Sequence, residues 1–491
     1  MRDFVLSKST FIRGCQCYKS LYLHKHFPEL KGEIDESQEV IFARGTSVGE
    51  LAQQLFPNGI NVKPETAYEY GKSAKLTNQL IEKGQKVIYE ATFIFEEVMC
   101  AIDILVNDKG KWYAYEVKSS TSISDTYILD TSLQFYVITN SGIKLEDISI
   151  AFINNEYQRV GELDINELFA IESVKDRVIE KQQFIKTEIQ NLKKLIVQSE
   201  IPKIDIGSHC GDPYECDFTC HCWQHVPEYS VFNISRLNGD KKFELYHKGV
   251  LEFKDIPDDF PLNEKQWLQV ESHINNTLTI NQKEIRLFLE ELSYPIYFMD
   301  FETIMPAIPM FDYNRPYQQI PFQYSLHYKE SRDSELIHSE FLAKNNGDPR
   351  IPFIEKLLLD TQKEGIILTY NKAFEITRLK EIAEDFPQYA IEINERISRI
   401  VDLMQPFQKK HYYTPEMKGS YSIKKVLPAL VPQLSYENLE INNGGNASAA
   451  FEQLYYEKDI NVITTTRVNL LQYCKLDTLA MVEILKVLEK V

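Results

Sequence analysis

"YPIYFMDFET", residues 294–303, is an apolar run that ends with two carboxylates separated by one residue. Successive side chains of a strand point to opposite faces, so Asp300 and Glu302 share one face. Carboxylate oxygens are the ligands that hard divalent cations prefer. The stretch therefore predicts a strand that carries a metal site and begins an α/β unit over residues 291–491.

Two further acidic positions lie in predicted elements of this unit. Glu375 ends the segment "NKAFE", directly after a predicted strand. Asp477 lies in the last predicted helix, and Tyr473, four residues earlier, shares its helix face. The predicted strands are 296–301, 321–328, 337–343 and 365–370, and the predicted helices are 351–362, 373–384, 447–457 and 466–490.

In this order, the three segments resemble the motifs of DEDD exonucleases of the DnaQ type, which have a ribonuclease H-like fold. Glu375 stands where members usually carry aspartate. The resemblance implies 3′–5′ exonuclease activity, with Tyr473 orienting the attacking water. The residues implied to hold two Mg²⁺ or Mn²⁺ ions, about 4 Å apart, are Asp300, Glu302, Glu375 and Asp477. For Asp402 two roles are open, a further acidic wall residue or a helix-end cap.

Residues 1–227 are predicted to form a first α/β unit, and residues 228–290 a connector with some helix. Alternating apolar and polar residues mark the strands, and the sequence "DKG" is typical of a hairpin turn between two of them. The predicted strands are 87–96, 100–107, 111–120 and 148–154, and the predicted helices are 128–139 and 164–198.

A candidate centre of this first unit consists of Asp103, Glu116 and Lys118. Glu116 and Lys118 share one face of a predicted strand, and Asp103 lies in the preceding strand. Two carboxylates can bind a divalent metal, and a neighbouring lysine can stabilise charge on a phosphate. The alternative is a surface hairpin with an ordinary Glu–Lys pair.

This arrangement resembles the PD-(D/E)xK nucleases of the RecB type, which have a restriction-endonuclease-like fold. The resemblance implies a catalytic role for Gln134 on the following helix. It also implies that Glu50, in the segment "FARGTSVGELAQQLFP", is a metal ligand. Gly49 departs from the pattern, because many members carry histidine there.

Four of the eight cysteines fall within residues 207–223. In a reducing cytosol, clustered cysteines are more often metal ligands than disulfides. The chain resembles RecB-like nucleases that close their fold with an iron–sulfur cluster, using one cysteine before the nuclease core and three after it. The resemblance implies a [4Fe–4S] cluster held by Cys17, Cys210, Cys216 and Cys222.

Zinc is the rival to iron–sulfur, because it also accepts four thiolates. Histidines at 209, 221 and 225 border the cluster and could replace a cysteine, and free thiols are a third alternative. Cys15 and Cys220 are then extra cysteines, while Cys100 and Cys474 are interpreted as buried small hydrophobes.

The chain has a formal net charge of −18, which excludes a general nucleic-acid coat but not an enzyme whose carboxylates bind metal. No signal peptide and no apolar run of membrane-spanning length is recognised, so a cytoplasmic protein without a membrane contact is predicted. Nucleic acid is the expected partner, and the sequence identifies no protein partner.

The order of motifs along nearly the whole chain resembles a bacterial family described only as a domain of unknown function. What this implies is a metal-dependent nuclease with two centres, favoured as a DNA exonuclease in repair or in defence against foreign DNA. A ribonuclease is one alternative. A nucleic-acid-binding assembly subunit with one or both centres inactive is the other.

Overall fold

The computed structural model describes residues 4–32, 36–66 and 68–491, with only the backbone of residues 36–43. The chain forms two compact units. The first comprises the described residues up to His225 together with Ala307–Tyr317, and the second comprises Val226–Pro306 and Gln318–Val491. Residues 307–317, predicted within the second α/β unit, thus belong to the first compact unit.

The first unit is a mixed sheet with helices packed against it. Its strands are β1 Leu6–Ser7, β2 Ile60–Asn61, β3 Val87–Phe95, β4 Val98–Asp108, β5 Lys111–Lys118, β6 Leu145–Ile153 and β7 Phe169–Ser173. Its helices are α1 Lys8–Gln16, α2 Tyr18–His26, α3 Glu36–Ala52, α4 Tyr70–Glu82, α5 Asp125–Asn140, α6 Ile165–Leu168, α7 Lys175–Glu180, α8 Gln182–Val197 and α9 Thr219–Cys222. Short 3₁₀ turns cover Pro28–Leu30, Gln53–Leu55 and Ser208–Cys210.

The sheet has the order β2-β3-β4-β5-β6-β7, and β1 pairs with β4. β3, β4 and β5 form an antiparallel meander, whereas β5 and β6 are parallel and are connected through α5. In the β4–β5 hairpin, Lys109 and Gly110 both have positive φ, as a two-residue type I′ turn requires. The predicted "DKG" turn is therefore confirmed.

One predicted element of this unit is wrong. Residues 164–198 were expected to form one long helix, but the structure divides them into α6, β7, α7 and α8. β7 pairs antiparallel with β6 at the edge of the sheet. Pairing with a distant strand thus overrides the local helical pattern, because strand formation depends strongly on tertiary context.

The second unit also combines a sheet with helices. Its strands are β8 Thr279–Ile280, β9 Ile296–Ile304, β10 Ile320–Lys329, β11 Ile337–Leu342, β12 Ile366–Thr369, β13 Ile400–Asp402 and β14 Tyr412–Tyr413. Its helices are α10 Gly239–His247, α11 Glu264–Asn275, α12 Gln282–Glu290, α13 Arg350–Asp360, α14 Ala373–Asp385, α15 Ala390–Ser398, α16 Gln405–Gln408, α17 Ile423–Leu430, α18 Gly444–Leu454 and α19 Ile460–Leu488. Short 3₁₀ turns cover Val231–Asn233, Phe253–Asp255, Pro387–Tyr389 and Pro415–Met417.

The larger sheet of this unit has the order β11-β10-β9-β12-β13. β9, β10 and β11 are antiparallel neighbours, whereas β9, β12 and β13 run parallel. Numbered along the chain, its five strands therefore lie in the spatial order 3-2-1-4-5. The predicted connector 228–290 lies within this unit, where α10, α11 and neighbouring turns enclose an apolar cluster.

The two faces of β9 have different partners. Tyr297, Met299 and Phe301 belong to an apolar cluster that includes residues of α13 and α14. Asp300 and Glu302 alternate with them and therefore lie on the opposite face, and α18 and α19 also contact this strand. The predicted α/β class is thus confirmed for both units, and the carboxylates lie beside a helix-covered sheet face.

Among the described residues, no helix combines the length and the hydrophobicity needed to cross a bilayer.

Candidate functional site

A cluster of buried and partly buried acidic side chains lies where β9 meets α19. Asp300, Glu302 and Cys474 offer ligand atoms that all lie within 4.8 Å of one another, and no other such group occurs in the described part of the chain. The Cys474 thiol lies 4.0 Å from Asp300 Oδ2. Sequence reasoning treated Cys474 as an isolated hydrophobe, although its place between Tyr473 and Asp477 could have indicated the site.

Asp477 joins this cluster from α19. Its side chain is buried, and Tyr436 donates a hydrogen bond of 2.6 Å to its Oδ1. Burial raises the pKa of Asp477 to about 6, although hydrogen bonds from Tyr436 and Tyr473 and the Lys424 charge lower it. Tyr473 thus contacts Asp477, as its position four residues earlier on the helix suggested. Tyr436 lies in the loop between α17 and α18, and no local sequence signal identified it.

Repulsion between these acids is strong. Burial holds the pKa of Asp300 well above its usual range, and the charges of Asp477 and Glu302 raise it further. The pKa of Glu302 is likewise raised, first by burial and then by Asp477. Two buried carboxylates and the partly buried Asp300 therefore stand together with an excess of negative charge whenever they are ionised.

Lys424 partly offsets this charge. Burial lowers the pKa of its amine, while Asp477, Glu302 and Asp300 raise it. The amine donates to the carbonyl of Asn442 at 2.9 Å and lies within 6 Å of the ring centres of Tyr436 and Tyr473. One ammonium facing three carboxylates leaves charge that a bound divalent cation would neutralise.

Glu375 is the fourth predicted acid of this centre. It lies in the first turn of α14, is 1% exposed, and its Oε2 has no hydrogen-bond partner among the described residues. Burial raises the pKa of Glu375 to about 8, and the Asp402 carboxylate contributes to the rise. The charge of Glu375 acts on Asp300 and Glu302. A buried carboxylate oxygen without a partner is costly, so this group suits a bound cation.

Asp402 is a cap. Its two oxygens accept hydrogen bonds from the backbone amides of Asn371, Lys372 and Met404 at 2.9–3.2 Å. Asn371 has a φ of 78°, in the left-handed region. Of its two open roles, the structure therefore supports the cap, which fixes the turn between β12 and α14 and so orients Glu375.

We expect the metal-free protein to become less stable as pH rises. Folding raises the pKa of Asp477 to about 6 and that of Glu375 to about 8, so the folded state binds more protons than the unfolded state. Stability should fall from about pH 4, the usual carboxyl range, through pH 8. Melting temperatures measured in EDTA across this pH range test the expected decline in stability.

In this experiment Glu375→Gln should flatten the decline between pH 6 and 8, while Glu364→Gln, on an exposed position of the same unit, should not. Adding Mg²⁺ or Mn²⁺ should stabilise the protein most at the alkaline end. A metal-free melting temperature that rises steadily from pH 5 to 8 would contradict the inferred repulsion.

The candidate centre of the first unit is an ion-pair network around Glu116. This residue is 1% exposed, and its Oε1 accepts hydrogen bonds of 2.7 Å from both Lys8 and Lys118. Gln134 donates to its Oε2 at 2.6 Å. Burial alone would raise the pKa of Glu116, but Lys118 and Lys8 hold it below its usual range. The structure thus joins the predicted Glu116, Lys118 and Gln134 directly.

Asp130 and Lys8 complete this network, and sequence reasoning singled out neither. Lys118 Nζ lies 2.7 Å from Asp130 Oδ2, and Lys8 Nζ lies 3.7 Å from the same oxygen. Asp130 could have been found, because it precedes Gln134 by four residues on α5 and so shares its face. Lys8 comes from α1, 108 residues before Glu116, where no local pattern marks it.

Asp103 and Glu50 differ in how they relate to this network. Asp103 accepts a 2.6 Å hydrogen bond from the amide of Val117, and burial followed by the Glu116 charge raises its pKa well above the usual range. Glu50 is exposed on α3. The structure therefore brings Asp103 to the network and leaves Glu50 outside it.

The four cysteines chosen as cluster ligands line one cavity. Cys17, Cys210, Cys216 and Cys222 surround it together with apolar side chains that include Ile204 and Phe218. Cys15 instead packs against the core of the first unit, and Cys220 is exposed. Both extra cysteines therefore lie outside the cavity lining, as expected.

Local structure explains how these thiols meet. Cys17 has an extended backbone between α1 and α2, so its side chain is not part of either helix face. Arg13 pairs with Asp217 at 2.7 Å, which ties α1 to the loop that carries the other three cysteines. The Gln16 amide donates to the carbonyls of His209 and Tyr214. None of the three bordering histidines is required to complete a set of four thiols.

Comparisons with known proteins agree with the expected family only at a coarse level. A family model described as a domain of unknown function (DUF2779) matches residues 297–422. This segment contains Asp300, Glu302 and Glu375 but ends before Asp477. The resemblance to a family of unknown function is thus confirmed for this segment, and the nuclease and iron–sulfur assignments stay predictions.

Two relatives carry no described activity. The uncharacterized protein UU173 of Ureaplasma parvum is 31% identical over 285 residues, which are 52% of this chain and 40% of that protein. The uncharacterized protein MG366 homolog of Mycoplasma pneumoniae is 30% identical over 213 residues, which are 38% of this chain and 31% of that protein. The matches thus span less than half the length of these relatives.

Proposed function

We propose that the protein is a metal-dependent nuclease whose second unit hydrolyses phosphodiester bonds at the 3′ end of a nucleic acid. The carrying observation is the convergence of Asp300, Glu302 and Asp477, all with raised pKa values, beside a single half-buried lysine. A structural role alone gives no reason to place three like charges together. Clusters of this kind are typical of functional sites.

The donor set fits Mg²⁺ or Mn²⁺. Asp300, Glu302 and Asp477 offer hard oxygen ligands, and Glu375 adds a buried carboxylate whose Oε2 is unpartnered among the described residues. Bound divalent ions would neutralise the carboxylates and polarise the phosphate. Tyr473, already hydrogen-bonded to Asp477, is suited to orient a water molecule. Lys424 is suited to hold negative charge near the same carboxylates.

The topology of the second unit supports a ribonuclease H-like exonuclease. Its strands follow the spatial order 3-2-1-4-5, with Asp300 and Glu302 on the central strand and Asp477 on the last helix. The favoured substrate is DNA, and the favoured role is repair or defence against foreign DNA. A ribonuclease is the alternative. End-labelled single- and double-stranded DNA and RNA, incubated with Mg²⁺ or Mn²⁺, test both substrate and polarity.

The first unit supports a proposal of a RecB-like PD-(D/E)xK domain closed by a [4Fe–4S] cluster. A tetrahedral zinc ion with sulfurs at about 2.3 Å requires sulfur–sulfur separations near 3.8 Å. No three of the thiols, all in the described part of the chain, lie within 4.8 Å of one another. This spacing favours a larger group than a single ion.

A second candidate for the first unit is a nucleic-acid-binding module that does not itself cleave. The favouring observation is that Glu116 already has three hydrogen-bond partners, two of them ammonium groups. Lys8 thus supplies positive charge where a metal would otherwise bind. Glu50, one of the other two predicted ligands, is exposed and outside this network.

We expect two separable activities, with Glu116 needed for the one in the first unit. In an Asp300→Asn background, remaining metal-dependent cleavage should disappear on Glu116→Gln, because the isosteric amide removes the ligand charge. Lys118→Ala should have the same effect. Lys111→Ala, an exposed position on the same strand, should not. Gel analysis of labelled DNA measures this.

Two outcomes decide between the candidates for the first unit. No residual cleavage in the Asp300→Asn background, with DNA binding retained, supports the binding module. Loss of all cleavage on Glu116→Gln alone, in a folded protein with an intact second centre, contradicts separable activities.

A further inference from the structure

A positively charged pocket in the second unit belongs to none of the centres described above. It has a volume of about 330 Å³ and is lined by eight residues that include Arg236, Lys265 and Lys410. The other lining residues are neutral, and no carboxylate is among them. In a chain with a net charge of −18, three cations around one cavity without an acid require an explanation.

Lys410 is the central observation. The residue lines the pocket, yet it is only 8% exposed. Its amine lies 3.7 Å from the ring centre of Tyr413 and has no hydrogen bond or ion pair with any residue in the described ranges. A charged group that is largely buried without an anionic partner carries a desolvation cost, which a bound anion would offset.

The backbone and electrostatics agree with this interpretation. Burial lowers the pKa of Lys410 to about 8, and the neighbouring Lys265 charge adds to the effect. A bound anion would reverse this shift by stabilising the ammonium form. Lys410 also has a φ of 56°, in the left-handed region that side chains seldom adopt, so its position is maintained at a conformational cost.

The remaining lining suits an oxyanion. Asn263 is the N-cap of α11, a helix of 12 residues, and Lys265 and Gln266 are in its first turn. The positive end of the helix dipole is therefore at the pocket, although a capping box between Asn263 and Gln266 already satisfies the amides of these two residues and Glu264 lies in the same turn. Arg236 stacks on Tyr421 and donates to its hydroxyl with Nε at 2.8 Å, which holds the guanidinium group at the rim.

We propose that this pocket binds a phosphate group, with Lys410 as its buried ligand and Arg236 and Lys265 as rim contacts. Arginine and lysine together with a helix N-terminus are the usual donors for phosphate oxygens. The phosphate comes either from a nucleic-acid backbone or from a free mononucleotide or inorganic phosphate. The first source rests on the proposed nuclease function, and the second does not.

Binding measured in EDTA separates this pocket from the carboxylate centres. The probes are a fluorescein-labelled 12-nucleotide single strand, followed by anisotropy, and AMP and inorganic phosphate, followed by calorimetry. We expect Lys410→Met to weaken binding of the phosphate source about tenfold, as losing a charge-assisted contact does. For the oligonucleotide, the slope of log Kd against log salt should also fall by about one.

Lys409→Gln is the matched control, since it removes the same charge from the adjacent, exposed residue that does not line the pocket. Lys265→Gln, at an exposed rim position, provides a second test if Lys410→Met folds poorly, and circular dichroism monitors folding. Weaker binding of the oligonucleotide alone assigns the backbone as source. Weaker binding of AMP or phosphate alone assigns the free ligand.

Equal binding of all three probes by the wild type, Lys410→Met and Lys265→Gln would overturn the proposal. Its failure is distinct from failure of the nuclease proposal, because Asp300→Asn should remove 3′-end trimming without changing binding in EDTA. A wild type that never cleaves nucleic acid would refute the nuclease proposal. The phosphate-pocket proposal would still stand if Lys410→Met bound the phosphate probes more weakly than this wild type.

Discussion

Asp300→Asn should eliminate 3′-end trimming and at the same time leave the metal-free protein as stable as the wild type or more stable. Asp300 is the carboxylate whose pKa is raised by burial and by the charges of Asp477, Glu302 and Glu375. Asparagine has nearly the same shape as aspartate but no charge. The substitution therefore removes repulsion that opposes folding, and it also removes a central metal ligand. We expect activity to fall at least about 100-fold, since even partners of ligands contribute 10–100-fold.

Opposite effects on activity and stability would distinguish a metal-ligand role of Asp300 from a structural role. A structural role for Asp300 would lower the melting temperature, whereas a ligand role predicts loss of the stabilisation by Mg²⁺ or Mn²⁺. Asp333→Asn, at an exposed position of the same unit, is the charge-matched control and should change neither quantity. Undiminished trimming by Asp300→Asn would refute the proposed centre.

Two further variants separate the roles within the centre. Tyr473→Phe should only slow trimming, because Tyr473 is proposed to orient water and not to bind metal. Glu375→Asp restores the residue that DEDD exonucleases usually carry but shortens the side chain in a site where α14 is already positioned by Asp402. We expect lower activity from Glu375→Asp, measured by single-turnover trimming, since the carboxylate would then lie farther from Asp300.

The parts of the fold with strong local periodicity could be predicted from the sequence. The two-residue alternation correctly predicted β9 and the shared face of Asp300 and Glu302, and the i, i+4 spacing related Tyr473 to Asp477. Such patterns depend only on neighbouring residues. The long helix predicted over 164–198 was wrong because β7 is specified by pairing with β6, which no local pattern contains.

The same limit applies to the sites. Lys8 reaches Glu116 across 108 residues, and Tyr436 reaches Asp477 from an irregular loop 41 residues away. Neither position has a neighbour in the sequence that marks it. Lys410 was not recognised either, because a lysine after another lysine normally suggests a solvated surface. Only the fold shows that Lys409 is exposed whereas Lys410 is buried in the pocket.

Sequence spacing alone does not distinguish Cys15 from Cys17 as the upstream ligand. The prediction of Cys17 therefore rested on the resemblance to RecB-like nucleases with an iron–sulfur cluster. The structure gives a physical distinction. Cys15 is on α1 and packs against the core, and burial raises the pKa of its thiol to about 12. Cys17 lies at the extended junction after α1 and lines the cavity with the three downstream thiols. Burial raises the pKa of the Cys17 thiol as well, so the two thiols are distinguished by their place relative to the cavity.

Cys17→Ser should therefore remove iron and strongly destabilise the first unit. Anaerobically purified wild type should be brown, with about four irons per chain if the cluster is of the [4Fe–4S] type. The cluster would join residues at the two ends of this unit, and by analogy with a disulfide closing so long a loop, its loss should cost about 5 kcal/mol. For a unit of this size, that lowers the melting temperature by about 10 °C.

Cys15→Ser and Cys220→Ser are matched controls for this experiment, because one removes the neighbouring thiol on α1 and the other an exposed thiol from the same loop as the downstream ligands. Both should retain iron, measured by metal analysis and absorbance near 400 nm, whereas Cys210→Ser, Cys216→Ser and Cys222→Ser should lose it as Cys17→Ser does. A colourless wild type with one zinc per chain would refute the cluster yet keep the four-thiol site. Iron that is retained in Cys17→Ser but lost in Cys15→Ser would refute the proposed ligand set, because Cys15 and not Cys17 would then bind the cluster.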